Sequence, residues 1–120
     1  MAVAATINMS ANVAGLGSAR NQNNSFTATV PTMVTSQYRI QDTADTVESL
    51  ALGDVGTVEG CLIKAVDNNM YVDVSYSAAF SMELRVEEGQ SAYFKPGGTV
   101  AVKNAVGAEV CTYDYLVFGV

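Results

Sequence analysis

Histidine and tryptophan do not occur in this chain, and its 120 residues include only two cysteines and two prolines. Without imidazole there is no His-based triad, no histidine general base and no His-ligated zinc or iron. The two thiols, Cys61 and Cys111, cannot furnish a four-thiolate metal site within one chain. Charge is scarce as well, at 15% of residues against 49% hydrophobic, which excludes a solvated disordered chain. No apolar run approaches the roughly 18 residues of a membrane span. The first nineteen residues carry no charged side chain, but Asn8, Ser10, Asn12, Gly15 and Gly17 interrupt them. The basic start and dense apolar centre of a secretory signal are missing too. A soluble, untargeted chain with no membrane partner is expected.

What charge there is leans acidic. Six basic side chains stand against twelve acidic ones, for a net charge of −6 and a pI near 4.3. Nucleic acid is therefore not an expected partner, because phosphate neutralisation needs clustered Lys and Arg. The distribution is uneven. Arg20 and Arg39 are the only charges from Met1 to Gln41, whereas the remainder sets four basic residues against all twelve acids, a net −8. Such asymmetry points to a terminal arm with its own partner. A mass of 12.6 kDa supports one hydrophobic core and not two. The expected organisation is a single domain: an arm with the first strands over 1–41, and a body over 42–120.

The dominant hydrophobic period is two. Val3, Ala5, Ile7 and Met9 alternate with small polar residues, as do Phe26, Ala28 and Val30. Met70, Val72, Val74 and Tyr76 form a third run, and Phe80, Met82, Leu84 and Val86 a fourth. In the last run Val110, Thr112, Asp114, Leu116 and Phe118 oppose Cys111, Tyr113, Tyr115 and Val117. Alternation of this kind makes half-buried strands. Turn signals at Gly53–Gly56, Asp67–Asn69, Glu88–Gln90, Pro96–Gly98 and Asn104–Gly107 separate the runs. Asp67-Asn68-Asn69 reads as a tight hairpin, since Asn tolerates positive φ. Asp42–Leu52 is the best helix candidate, and its Thr and Val content argues against it. The expected fold is all-β: an antiparallel β-sandwich, jelly-roll-like or a small barrel, with an extended N-terminal arm. Ser10–Ser25, rich in amides and small residues, has no bulky apolar period. It reads either as a frayed tail or as an arm that orders against another subunit.

Short motifs give no catalytic centre. Gly15-Leu16-Gly17-Ser18-Ala19-Arg20 begins like a dinucleotide fingerprint, but Arg20 stands where the last Gly belongs and no βαβ unit surrounds it. Asp42-Thr43-Ala44-Asp45 lacks the Gly of an aspartic-protease turn and reads as a hydrophilic connection. Twelve acids offer many carboxylate pairs for glycoside hydrolysis, and nothing selects one. Asp67-Asn68-Asn69 is too short for a calcium loop. Tyr113-Asp114-Tyr115, with Tyr71, Tyr76 and Tyr93, offers glycan contacts, though strand tyrosines more often pack their rings. Cys61 and Cys111 are expected as buried free thiols rather than a disulfide. No enzyme activity, cofactor or metal is expected.

From Leu52 onward the chain resembles small virion proteins of tailed bacteriophages. The matching pieces are Leu52-Gly53-Asp54-Val55-Gly56-Thr57, Met70-Tyr71-Val72-Asp73-Val74 and Met82-Glu83-Leu84-Arg85-Val86-Glu87-Glu88-Gly89. Phe94-Lys95-Pro96-Gly97-Gly98 and Tyr113-Asp114-Tyr115-Leu116-Val117 complete the series. These are fold-keeping positions, none of them catalytic. The resemblance implies a non-enzymatic structural protein of the virion, assembled in the host cytoplasm. A capsid decoration protein on the major capsid protein shell, as a homo-trimer, is the first expectation. A tail-fibre or glycan-binding receptor module is the alternative, and a small dimeric carboxylate hydrolase is weakened by the absence of His. Val3, Ile7, Arg20 and Arg39 are the candidate partner-binding residues. Val3–Met9 alternates well enough to add a strand to a neighbour's sheet edge, or to complete the chain's own sandwich.

Overall fold

A computed structural model describes residues 4–15, 17, 20–29 and 33–120. Every regular element in it is a strand. β1 (Ala4–Val13) and β2 (Arg20–Thr29) form a two-stranded antiparallel sheet of their own. β3 (Met33–Ile40), β10 (Thr112–Gly119), β5 (Val58–Asp67) and β8 (Ser91–Phe94) form a second sheet in that spatial order. β4 (Glu48–Ser49), β9 (Thr99–Asn104), β6 (Met70–Tyr76) and β7 (Leu84–Val86) form the third.

The order within the two four-stranded sheets follows a nested rule. β3 pairs with β10, β4 with β9, β5 with β8 and β6 with β7, all antiparallel. The chain from β3 to β10 thus behaves as one long hairpin folded over on itself. β10 then also pairs with β5, and β9 with β6, which closes each sheet. This is the strand order of a jelly roll, so the sandwich expected from the alternation is present in its jelly-roll form. The boundary anticipated at Gln41 falls just after β3, a strand of the sandwich through its ladder to β10.

Nearly every turn from β3 to β10 crosses from one sheet to the other. Asp67-Asn68-Asn69 is one of these, which corrects its reading as a tight hairpin. β5 and β6 on either side lie in opposite sheets and do not pair. Asn68 does take the positive φ (66°) that its side chain tolerates, and its amide donates to the Val110 carbonyl at 2.9 Å. A further correction concerns Phe80–Val86, where only Leu84–Val86 is a strand. The Asp73 carboxylate accepts hydrogen bonds from the Ser75 and Ser81 amides at 3.0 and 2.9 Å. Those bonds draw 77–83 into a loop over the outer face of β6. The Asp42–Leu52 stretch contains no helix: a turn leads into β4.

The core lies between the two four-stranded sheets. One sheet contributes Cys61, Ile63, Ala65, Tyr113, Tyr115 and Val117, and the other Met70, Val72, Val86, Val100 and Val102. These are the alternate positions of each strand, as period two requires. At the C-terminal end of β10 the packing leaves no room for a side chain: a Cβ on Gly119 would run into the Thr57 carbonyl. Because that obstacle is backbone, Gly119→Ala is expected to lower stability by about 1–3 kcal/mol, the usual cost of overpacking. Urea unfolding followed by circular dichroism measures it.

Candidate functional site

The residues nominated from sequence do not converge. Val3 lies outside the described residues, and Arg20 opens β2 opposite Val13. Ile7, on β1, is half-buried where the hairpin faces the outer side of the β3–β10–β5–β8 sheet. Arg39 sits on the inner side of that sheet, in register with Tyr113. Ile7 and Arg39 therefore lie on opposite sides of the β3–β10–β5–β8 sheet and do not form one surface.

Arg39 belongs instead to a polar seam where β3 and β4, the edge strands of the two sheets, come together. The Tyr113 hydroxyl donates to Glu48 Oε1 at 3.1 Å, and the Tyr115 hydroxyl to the Ala51 carbonyl at 2.8 Å. Their rings stack with centroids 6.1 Å apart. Burial is the main cause holding both hydroxyls above the ordinary tyrosine range, and Glu48 adds to it at Tyr113. Burial opposes the charge on Arg39, and Tyr113, Glu48 and Tyr115 more than offset it. The seam ties β10 to the segment around β4 through these two hydroxyl bonds, and so links the two sheets at their β3 and β4 edges. Tyr113 and Tyr115, considered above as glycan contacts, are core residues.

A second polar network ties the chain before β4 to the end of β9. Buried Gln41 donates through Nε2 to the Thr46 carbonyl (2.7 Å) and to Asn104 Oδ1 (2.9 Å), and its Oε1 accepts from the Cys111 amide (3.2 Å). Asn104 Oδ1 also accepts from the Asp45 amide at 2.7 Å, while Asn104 Nδ2 donates to Asp45 Oδ1 at 3.0 Å. The Asp42–Asp45 stretch is thus a connection between β3 and β4 anchored by the Asp45 carboxylate. Among the described residues no buried side-chain N or O lacks a partner, and no three His, Cys, Asp or Glu groups converge as for a metal.

What sequence reasoning missed is the outer face of the β3–β10–β5–β8 sheet. Register places Val34, Phe118 and Gly60 in one row, and Ser36, Leu116, Leu62 and Tyr93 in the next. A third row holds Tyr38, Asp114, Lys64 and Ser91. The face grades from apolar to polar. At the polar end a shallow cleft of about 460 Å³ is lined by Ser36, Tyr38, Lys64, Ser91 and Asp114 among others. Over the apolar end the hairpin leaves a cavity of about 480 Å³. Phe118 is 2% exposed though outside the main core: its ring lies over Gly60, with the Tyr93 ring stacked 6.5 Å away and the hairpin lining the same cavity. The signal was available: Leu116 and Phe118 are apolar on the face of β10 opposite Tyr113, Tyr115 and Val117.

No family model matches the chain, and neither does any curated protein or solved structure.

Two outcomes follow from these environments. Burial pushes the Cys61 thiol up to about 12 and the Cys111 thiol up to about 11, and neither forms a disulfide. Native protein at neutral pH is expected to resist alkylation, whereas two labels add in urea; rapid native labelling would show a core that opens. Asp45, bonded first by Asn104 and then by the Ala108 amide, is held below the ordinary carboxylate range, as is Asp73 by the Ser81 and Ser75 amides. The unfolded chain therefore binds more protons near and below about pH 4, so stability is full above that range and falls as these carboxylates protonate. Asp73→Asn is expected to be less stable at pH 7 and to lose part of the acid sensitivity between about pH 4 and 2. A mutant with the parental acid slope would remove Asp73 from that role.

Proposed function

We propose that the protein is a non-enzymatic structural component of a tailed-phage virion, a decoration protein that binds and stabilises the shell of major capsid protein. One observation carries this reading: a β-hairpin of ten cross-strand pairs that belongs to neither sheet of the jelly roll. Its described side chains from Asn8 to Asn12 and from Asn21 to Ser25 are all exposed. Such an element adds no strand to either ladder of the sandwich, and it suits a protein that must grip a lattice. The exposed stretch is polar but almost uncharged, which suits close approach to a partner without desolvating full charges. Jelly rolls also serve in viral capsid proteins, a fold-level analogy that lectins share.

The second reading, a tail-fibre or glycan-binding receptor module, draws on the Tyr38, Asp114, Lys64 and Ser91 row. The Tyr38 side chain is 63% exposed there, beside a carboxylate and an ammonium able to bond sugar hydroxyls. Virions produced from the same genome decide between the two. Mass spectrometry is expected to find the chain in a fixed ratio to the major capsid protein, and cryo-electron microscopy to place it on the shell. A few copies confined to the tail would favour the receptor module. Absence from the particle would overturn both.

A further inference from the structure

Among the described side chains of the hairpin, few pack against its own body. Ala5 and Ile7 are its only half-buried described side chains, and Met9 remains 42% exposed. The sheet face beneath it is left uncovered in turn: Val34 is 61%, Leu62 45% and Leu116 37% exposed. The cavity between them, about 480 Å³, is lined by Ile7, Met9, Leu62, Tyr93, Leu116 and Phe118. The radius of gyration is 15.6 Å, against about 14 Å for a compact chain of this length. The exposed area is 7136 Å², against about 6,200 Å² for this mass. A two-stranded hairpin on its own is at best marginally stable in water.

The tether explains the poor fit. Only three residues, 30–32, separate β2 from β3, and β3 is the edge strand of the sheet the hairpin faces. A hairpin held that short to one edge is restricted in how squarely it can lie across its own sheet. An identical hairpin arriving from a neighbour is not.

We propose that the outer face of the β3–β10–β5–β8 sheet receives the N-terminal hairpin of a second copy of this chain, with Ala5, Ile7 and Met9 seated on the exposed Val34, Leu62 and Leu116. Two features select a second copy as the occupant. The apolar side chains of this hairpin, Ala5, Ile7 and Met9, already face that sheet across the cavity they line. Charge agrees: residues 33–120 carry five basic and twelve acidic side chains, net −7, while residues 4–29 carry Arg20 alone. Two bodies repel one another, and the hairpin is the part that can reach across to a neighbour without that penalty. Exchange of one element between copies reuses contacts the chain already encodes. Copies meet this way whether or not the assembly decorates a capsid.

The test uses purified full-length chain alone, so it stands apart from the virion experiment. A tagged chain carrying Ile7→Cys is mixed with an untagged chain carrying Leu116→Cys and oxidised; native Cys61 and Cys111 are buried. The expected product is a disulfide-linked pair of tagged and untagged chains, identified by mass spectrometry. Light scattering on the unmodified protein at micromolar concentration is expected to show an oligomer that Leu116→Glu reduces in mass, with the β-type circular dichroism retained. A monomeric unmodified chain would overturn the proposal. So would a doubly substituted Ile7→Cys/Leu116→Cys chain that closes only within itself, even if Leu116→Glu proves unable to fold.

Discussion

β10 is hydrogen-bonded along both edges, to β3 on one side and β5 on the other, and the rest of the sandwich is arranged around it. Its alternate side chains face two different environments. Tyr113, Tyr115 and Val117 enter the core, while Leu116 and Phe118 emerge on the outer face. Because the strand period is two, a slip of one residue in either ladder would exchange those sets and place Asp114 in the core. Gly119 closes the strand against the 57–59 backbone with no room for a side chain. Register, core and outer surface are therefore one constraint.

Buried polar groups do the terminating and aiming that apolar alternation cannot. Asp73 lies on β6, where a strictly alternating ladder would continue, yet its carboxylate collects two amides and bends the following segment out of the sheet. Gln41 and Asn104 likewise bring together the entry to β4, the end of β9 and the start of β10. Unpaired, these amides would each carry a desolvation cost of about 1–3 kcal/mol, so alternative crossings between the sheets are disfavoured. This polar bookkeeping specifies topology more than it adds stability.

The hairpin and the outer face stand apart from that economy. The sandwich satisfies its own polar groups, while the hairpin offers exposed amides and the face beneath it offers uncovered aliphatic side chains. The proposed structural role and the proposed exchange of hairpins both draw on this open apolar surface and on the scarcity of charge around it.

Period-two alternation, with turn residues between the runs, was enough to establish an all-β sandwich and the two alternating side-chain sets of β6 and β10. It also anticipated the two buried thiols. Those are local properties: side-chain alternation is set by the pleat, and Asn or Gly at a turn by φ. Tertiary structure alone decided which strands pair. Nothing in Asp67-Asn68-Asn69 distinguishes a hairpin within one sheet from a crossing between two, because the same φ at Asn68 serves both. Ser10–Ser25 carried no apolar period, so its hairpin pairing rests on backbone hydrogen bonds to which side-chain pattern is blind. Arg39 shows the same limit. Its charge made it a partner candidate, yet the parity of β3 turned it toward Tyr113, and parity acquires a direction only when a second sheet covers one face.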